Sequence, residues 1–231
     1  MKPFGIYLVL LILFALIFTY INSMNKMSQA KRYFAFGDSY TVGESVKKDQ
    51  SFPSLLVRKI NDSGVRLEKR GELARTGWNS GDLIGEMENS RLEKADLATL
   101  LIGANDIVQG VSVGEFEENL RKLIEMIAKY VNQKDKLIVL TIPDFTKTKV
   151  GTRFGNDGKT AKEIVAFNSV IEKVSRENGV TVVDIYPISL NMENDLELVA
   201  TDSLHPSGKL YRKWVDLITP RVLEKINNSN D

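Results

Sequence analysis

Beyond residue 31 the chain alternates short apolar runs with longer segments of helical period, and this alternation restricts the fold more than any other feature of the sequence. The runs at residues 33–36, 65–69, 96–102, 136–142 and 180–185 read as strands, two of them continuous enough for burial on both faces. Between the third and fourth runs, Val113, Phe116, Leu120, Leu123, Ile124 and Ile127 fall on one side of a helix. Ile164, Phe167, Ile171 and Val174 repeat that stripe between the fourth and fifth. Strands alternating with helices pair in parallel through right-handed crossovers. The sequence therefore predicts an α/β fold, a three-layer α/β/α sandwich on a flavodoxin-like five-stranded parallel sheet of order 2-1-3-4-5. In that order the chain winds in opposite directions from strands 1 and 3, and a ligand binds at the carboxyl ends of those two strands.

Ahead of this body stands residues 4–21, nearly unbroken apolar sequence after Lys2. At about 1.5 Å per helical residue it reaches roughly 27 Å, close to the thickness of a bilayer core. Its length favours an uncleaved membrane anchor over a secretory signal, although Ser28-Gln29-Ala30 offers a small-x-small cleavage site beyond it. Lys2 lies on one side of the segment and Lys26, Lys31 and Arg32 on the other, so counting positive charges leaves the orientation open. The expected organisation is an anchor or uncleaved signal over residues 1–22, a polar linker over 23–31 and one domain over 32–231. That domain is expected outside the cytoplasm, held at the membrane or released after cleavage.

Composition removes several chemistries. Lys plus Arg number 31 against 30 for Asp plus Glu, so charge gives no reason to expect nucleic acid as a partner. The absence of cysteine excludes disulfides, thiol nucleophiles and cysteine-ligated metals. His205 is the sole histidine, which excludes a multi-histidine metal site. No cofactor is called for.

Four loops fall at one end of the expected sheet. Gly37-Asp38-Ser39 follows strand 1, the stretch ARTGWNSGDL with Gly77 follows strand 2, Gly103-Ala104-Asn105-Asp106 follows strand 3, and TDSLHPSG follows strand 5. Taken singly each has an ordinary structural reading: a turn serine, a bend at Gly77, a turn asparagine, and Asp202 as a helix cap. Together they supply what acyl transfer needs. A serine hydroxyl is a weak nucleophile until a base takes its proton, and His205 is the one imidazole available. Asp202, three residues earlier, can hold the imidazole Nδ1–H and fix its tautomer. The N–H groups of Ser39 and Gly77 and the amide of Asn105 would serve an oxyanion. Pro206 restrains His205 to an extended backbone and is expected in the first turn of the last helix.

These residues resemble the GDSL, or SGNH, hydrolase family, from about residue 33 to the end of the last helix. The resemblance implies Ser39 as nucleophile, Gly77 and Asn105 as oxyanion donors, and Asp202 and His205 as the remaining triad members. It also implies an esterase, lysophospholipase, thioesterase or carbohydrate deacetylase, with a small-molecule, lipid or carbohydrate ester as substrate. Tyr40 departs from the leucine of the name-giving motif, which bears on substrate preference. Trp78, beside Gly77, is a candidate substrate contact, and Phe145, Val150 and Phe154 either line an acyl groove or pack their own loop. The competing reading is a noncatalytic, membrane-tethered binding module that keeps the fold. The GNDGKT stretch at residues 155–160 looks like the end of a phosphate loop, but Arg153 occupies the position where the full pattern needs glycine. Residues 144–159 are read as a surface loop.

Overall fold

The computed structural model describes residues 12–14, 16–17, 30–131 and 133–227. The expected anchor and linker thus lie almost wholly outside the described residues. Residues 12–14 and 16–17 are helical with exposed apolar side chains. Among the described residues no helix is long and apolar enough to cross a membrane.

The chain forms β1 (Lys31–Gly37), α1 (Ser39–Val42), α2 (Phe52–Asp62), β2 (Leu67–Ala74), α3 (Ser80–Asn89), β3 (Leu97–Leu101), α4 (Ala104–Gln109), α5 (Val113–Ala128), β4 (Leu137–Leu140), α6 (Lys159–Glu177), β5 (Thr181–Val183), α7 (Tyr186–Ser189) and α8 (Gly208–Asn227). All four strand pairings are parallel, and the sheet order is β2-β1-β3-β4-β5, as the alternation predicts. The central strands β3 (LATLL) and β4 (LIVL) are buried along their whole length, which their uninterrupted apolar sequence anticipates. With right-handed crossovers, α2 and the returning α8 cover one face while α3, α5 and α6 cover the other. The stripes pack as expected: Phe116 of α5 stacks on Phe167 of α6 with ring centroids 4.5 Å apart.

The edge strand β2 departs from expectation. The expected run ends at Lys69, yet the strand runs on to Ala74. The register against β1 slips between Tyr33 and Phe34, leaving Arg70 as the extra residue of a bulge. The Phe34 ring then lies where a side chain at position 71 would stand, so glycine is what lets the strand continue. Residues 144–159 form the expected irregular segment, with short 3-10 turns over Phe145–Lys147, Gly151–Phe154 and Asn156–Gly158.

Candidate active site

The carboxyl ends of β1 and β3 lie side by side, and each opens into a loop that carries a candidate residue. At Gly37 the backbone has φ +154°, and a Cβ there would stand 2.2 Å from the Leu101 carbonyl oxygen and 2.3 Å from Thr41 Oγ1. Only glycine lets the end of β1 run this close to the end of β3 before turning sharply into Asp38-Ser39. Asp38 then caps α1, its Oδ1 accepting the Tyr40 N–H at 2.9 Å. Ser39 is the first residue of that short helix and is buried.

Ser39 and His205, 166 residues apart in sequence, meet in space. Ser39 Oγ lies 3.0 Å from His205 Nε2, and His205 Nδ1 lies 2.5 Å from Asp202 Oδ2. A carboxylate only accepts hydrogen bonds, so Nδ1 is the protonated ring nitrogen, Nε2 carries the lone pair, and the Ser39 hydroxyl donates to it. Asp202 is ionised throughout the working range. Partial burial by itself would raise its pKa, but hydrogen bonds from the His205 ring, from the N–H groups of Leu204 and His205, and from Ser45 outweigh burial and bring it down to about 2. The histidine is mounted rigidly: its carbonyl accepts the Ala200 N–H at 2.7 Å, and Pro206 pairs with Val199 in an antiparallel bridge. Pro206 therefore precedes the last helix instead of lying in its first turn. The helix begins at Gly208, and the Ser207 hydroxyl and carbonyl take up the first N–H groups. The Tyr40 ring meets the imidazole edge-on at 5.7 Å and leans on Trp214, while the Tyr211 hydroxyl donates to the Tyr40 carbonyl at 3.0 Å.

Asn105 is the second residue of α4 and borders the same cleft as Ser39 and His205. One N–H of its amide donates to the Trp78 carbonyl at 2.9 Å, which leaves the other N–H for a ligand. Gly77 sits in the turn that enters α3, with φ +88°, closed by the Trp78 N–H on the Arg75 carbonyl at 3.2 Å. That left-handed conformation, at the third position of a type II turn, accounts for glycine at 77. Open space surrounds the position of its missing side chain. Gln109 of α4 donates to the Gly77 carbonyl at 3.0 Å, so the turn is bound to the loop after β3. Trp78 is half-buried against the core and is not among the residues bordering the cleft.

The cleft at Ser39 has a volume of about 90 Å³, with Val108, Phe145 and Phe154 forming its apolar side. Phe145 is buried, and Phe154 meets it edge-on at 6.4 Å. Val150 does not border the cleft; its N–H donates to the Ser203 carbonyl at 3.0 Å and pins the loop to the histidine turn. A larger open cleft of about 650 Å³ between α2 and α8 contains none of these residues; charged side chains such as Arg58, Lys59 and Asp216 line it.

Two residues of the site carry no predicted role. Asp106, buried in α4, accepts hydrogen bonds from the N–H of Ser80 at 2.9 Å and from its hydroxyl, tying α4 to the start of α3. Burial raises its pKa against those bonds. Ser45, in the loop after α1, donates to Asp202 Oδ2 at 2.7 Å.

Comparison with known proteins gives a consistent set of relatives. The model of the GDSL-like lipase/acylhydrolase family matches residues 35–213. A multidomain esterase of Ruminococcus flavefaciens is 28% identical over 130 residues, covering 53% of this chain and 15% of the esterase, so the chain matches only a small part of that protein. Among solved structures, a lipase/acylhydrolase from Enterococcus faecalis is similar with a TM-score of 0.63 at 23% identity, over 83% of this chain and 95% of that one. An acetyl xylan esterase from Geobacillus stearothermophilus gives 0.65 at 18% identity, over 85% and 96%. A family 3 carbohydrate esterase from Clostridium thermocellum gives 0.64 at 17%, over 87% and 98%.

Proposed function

The chain belongs to the GDSL-like lipase/acylhydrolase family, and from that premise we propose that it hydrolyses short-chain carboxylic esters through an acyl-enzyme on Ser39. The observation that carries this reading is the unbroken run of contacts from Ser39 Oγ to His205 Nε2 at 3.0 Å and from His205 Nδ1 to Asp202 at 2.5 Å. As Oγ attacks the ester carbonyl, its proton passes to Nε2 and the carbonyl oxygen becomes an oxyanion. The free N–H of Asn105 and the backbone N–H groups of Ser39 and Gly77 receive that charge. Collapse breaks the bond to the alcohol, which leaves with the proton from Nε2. Water then attacks the acyl-enzyme, gives its proton to the same nitrogen, and releases the acid and Ser39.

The size of the cleft selects among acyl groups. The cleft beside Ser39 is small, about 90 Å³, which favours a short acyl chain over a long fatty one. Tyr40, in place of the family's leucine, lines this cleft. The acetyl xylan esterase and the carbohydrate esterase among the fold relatives agree with an O-acetylated carbohydrate as the acyl donor. The apolar residues 4–21 tether the domain to a membrane on the outer side in this reading.

A fluorophosphonate probe applied to the folded protein tests the assignment. It should add its mass at Ser39 and nowhere in Ser39→Ala, and p-nitrophenyl acetate or butyrate should be turned over well ahead of the octanoate. Folded protein that takes no label would be the noncatalytic module instead, and a preference for octanoate would remove the short-acyl reading alone.

A further inference from the structure

The carboxylate of Asp202 accepts four hydrogen bonds, and only three come from its own turn. Oδ1 accepts the N–H groups of Leu204 at 2.9 Å and His205 at 3.0 Å, and Oδ2 faces the His205 ring at 2.5 Å. The fourth donor is the Ser45 hydroxyl, which reaches Oδ2 at 2.7 Å across 157 residues of sequence. Ser45 holds φ +63° and Ser203, next to Asp202, holds φ +62°. Both are left-handed conformations that non-glycine residues seldom adopt, and they persist where the surroundings fix them. The residue before Ser45 is anchored too, since the Thr76 hydroxyl donates to the Glu44 carboxylate. Thr76 adjoins Gly77. The loop after α1 thus grips the triad acid with one residue and the Gly77 turn with the one before it.

Resting on the ester-hydrolase reading, we propose that Ser45 is a positioning residue of the triad, whose hydroxyl fixes the Asp202 carboxylate so that Oδ2 stays aimed at the His205 Nδ1–H. A loop-tying contact with no part in the chemistry would need neither the oxygen that faces the imidazole nor the left-handed backbone at Ser45. With the hydroxyl removed, Oδ2 keeps one partner and the carboxylate is freer to turn. The imidazole then spends less time with its lone pair on Ser39 Oγ.

Ser45→Gly separates the hydroxyl from the backbone, because glycine accepts φ +63° without strain. The thermal midpoint should fall by only about 2–4 °C, since relief of the strained φ offsets part of the lost hydrogen bond, while kcat on p-nitrophenyl acetate, assayed well below that midpoint, falls about tenfold, as for the loss of one hydrogen bond to a charged group. KM should not move. Added to Asp202→Asn, the same change should remove nothing further in a single-turnover burst, because Ser45 acts only through that carboxylate. Unchanged kcat in Ser45→Gly overturns the proposal, as does an equal loss in both backgrounds or a loss seen only where the variant is partly unfolded. Undiminished activity in Ser39→Ala or Asp202→Asn would instead remove the hydrolase reading beneath it.

Discussion

In the proposed reaction Asn105 divides its amide between two tasks. One N–H holds the Trp78 carbonyl at 2.9 Å, and this bond fixes the plane in which the other N–H meets the cleft. Because the donor is held before any substrate arrives, little reorganisation is needed as charge develops on the carbonyl oxygen. Asn105→Ala should lower kcat on a p-nitrophenyl ester by about 10²–10³, roughly 3–4 kcal/mol, which is typical for one oxyanion donor. KM should change little, since a ground-state carbonyl makes a weaker bond than the oxyanion. Steady-state kinetics that show a raised KM with kcat intact would assign Asn105 to substrate binding. The same locality explains why these residues were legible in the sequence. Ser39 and Asn105 each stand in a short motif directly after an apolar strand, and Asp202 and His205 share one that lies beyond β5 and α7. Ser45 stands in no such motif, and its only mark is a contact with Asp202 that forms once β1 and β5 occupy one sheet.

The element that carries the Gly77 turn into place is α3. Its start is held by a capping box: Asn79 Oδ1 accepts the Asp82 N–H at 2.9 Å, and Asp82 Oδ2 accepts the Asn79 N–H at 3.0 Å. Asn79 also donates to Gln109 at 2.6 Å, and the Asp106 carboxylate sits on the first N–H of the helix, where the helix dipole favours negative charge. Asn79→Ala removes both the cap and the tie to α4, and should cost about 1 kcal/mol of stability. For a domain of this size that is a drop of about 2–4 °C in Tm, read by calorimetry; an unchanged Tm would mean that Asp106 alone holds the helix start. Elements are also where the sequence was least complete. Central strands announce themselves because both faces are buried, but β2 at the edge needs neither continuous apolar sequence nor strict alternation. Its second half is kept in register by Phe34 lying over Gly71, a contact between residues of different strands that no local pattern encodes.

For the molecule as a whole, the corner that mounts Ser39 opposes stability. Asp38 is fully buried, Oδ1 accepts the Tyr40 N–H, and Oδ2 has no hydrogen-bond partner among the described residues. Burial pushes its pKa from an ordinary 3.8 up to about 8; the Tyr40 N–H works against that rise and the nearby Asp106 charge adds to it. The native protein therefore keeps a proton that the unfolded chain has released. Stability from this group is complete below about pH 4 and falls as pH rises toward 8, by up to about 1.4 kcal/mol per pH unit. Asp202 has the opposite sign: with its pKa depressed to about 2, its contribution is full above pH 4 and is lost only as pH falls toward 2. Between pH 5 and 8 Asp202 is constant, and Asp106, raised like Asp38, is common to the protein and an Asp38 variant. Asp38→Asn keeps an oxygen for the Tyr40 N–H and has nothing to titrate. Its stability relative to the unchanged protein, measured by urea unfolding at pH 5 and pH 8, should shift in favour of the variant at the higher pH. An offset identical at both pH values would mean that the native carboxyl is already ionised at pH 5, and that the unpaired Oδ2 has found a donor, such as an internal water, inside the corner.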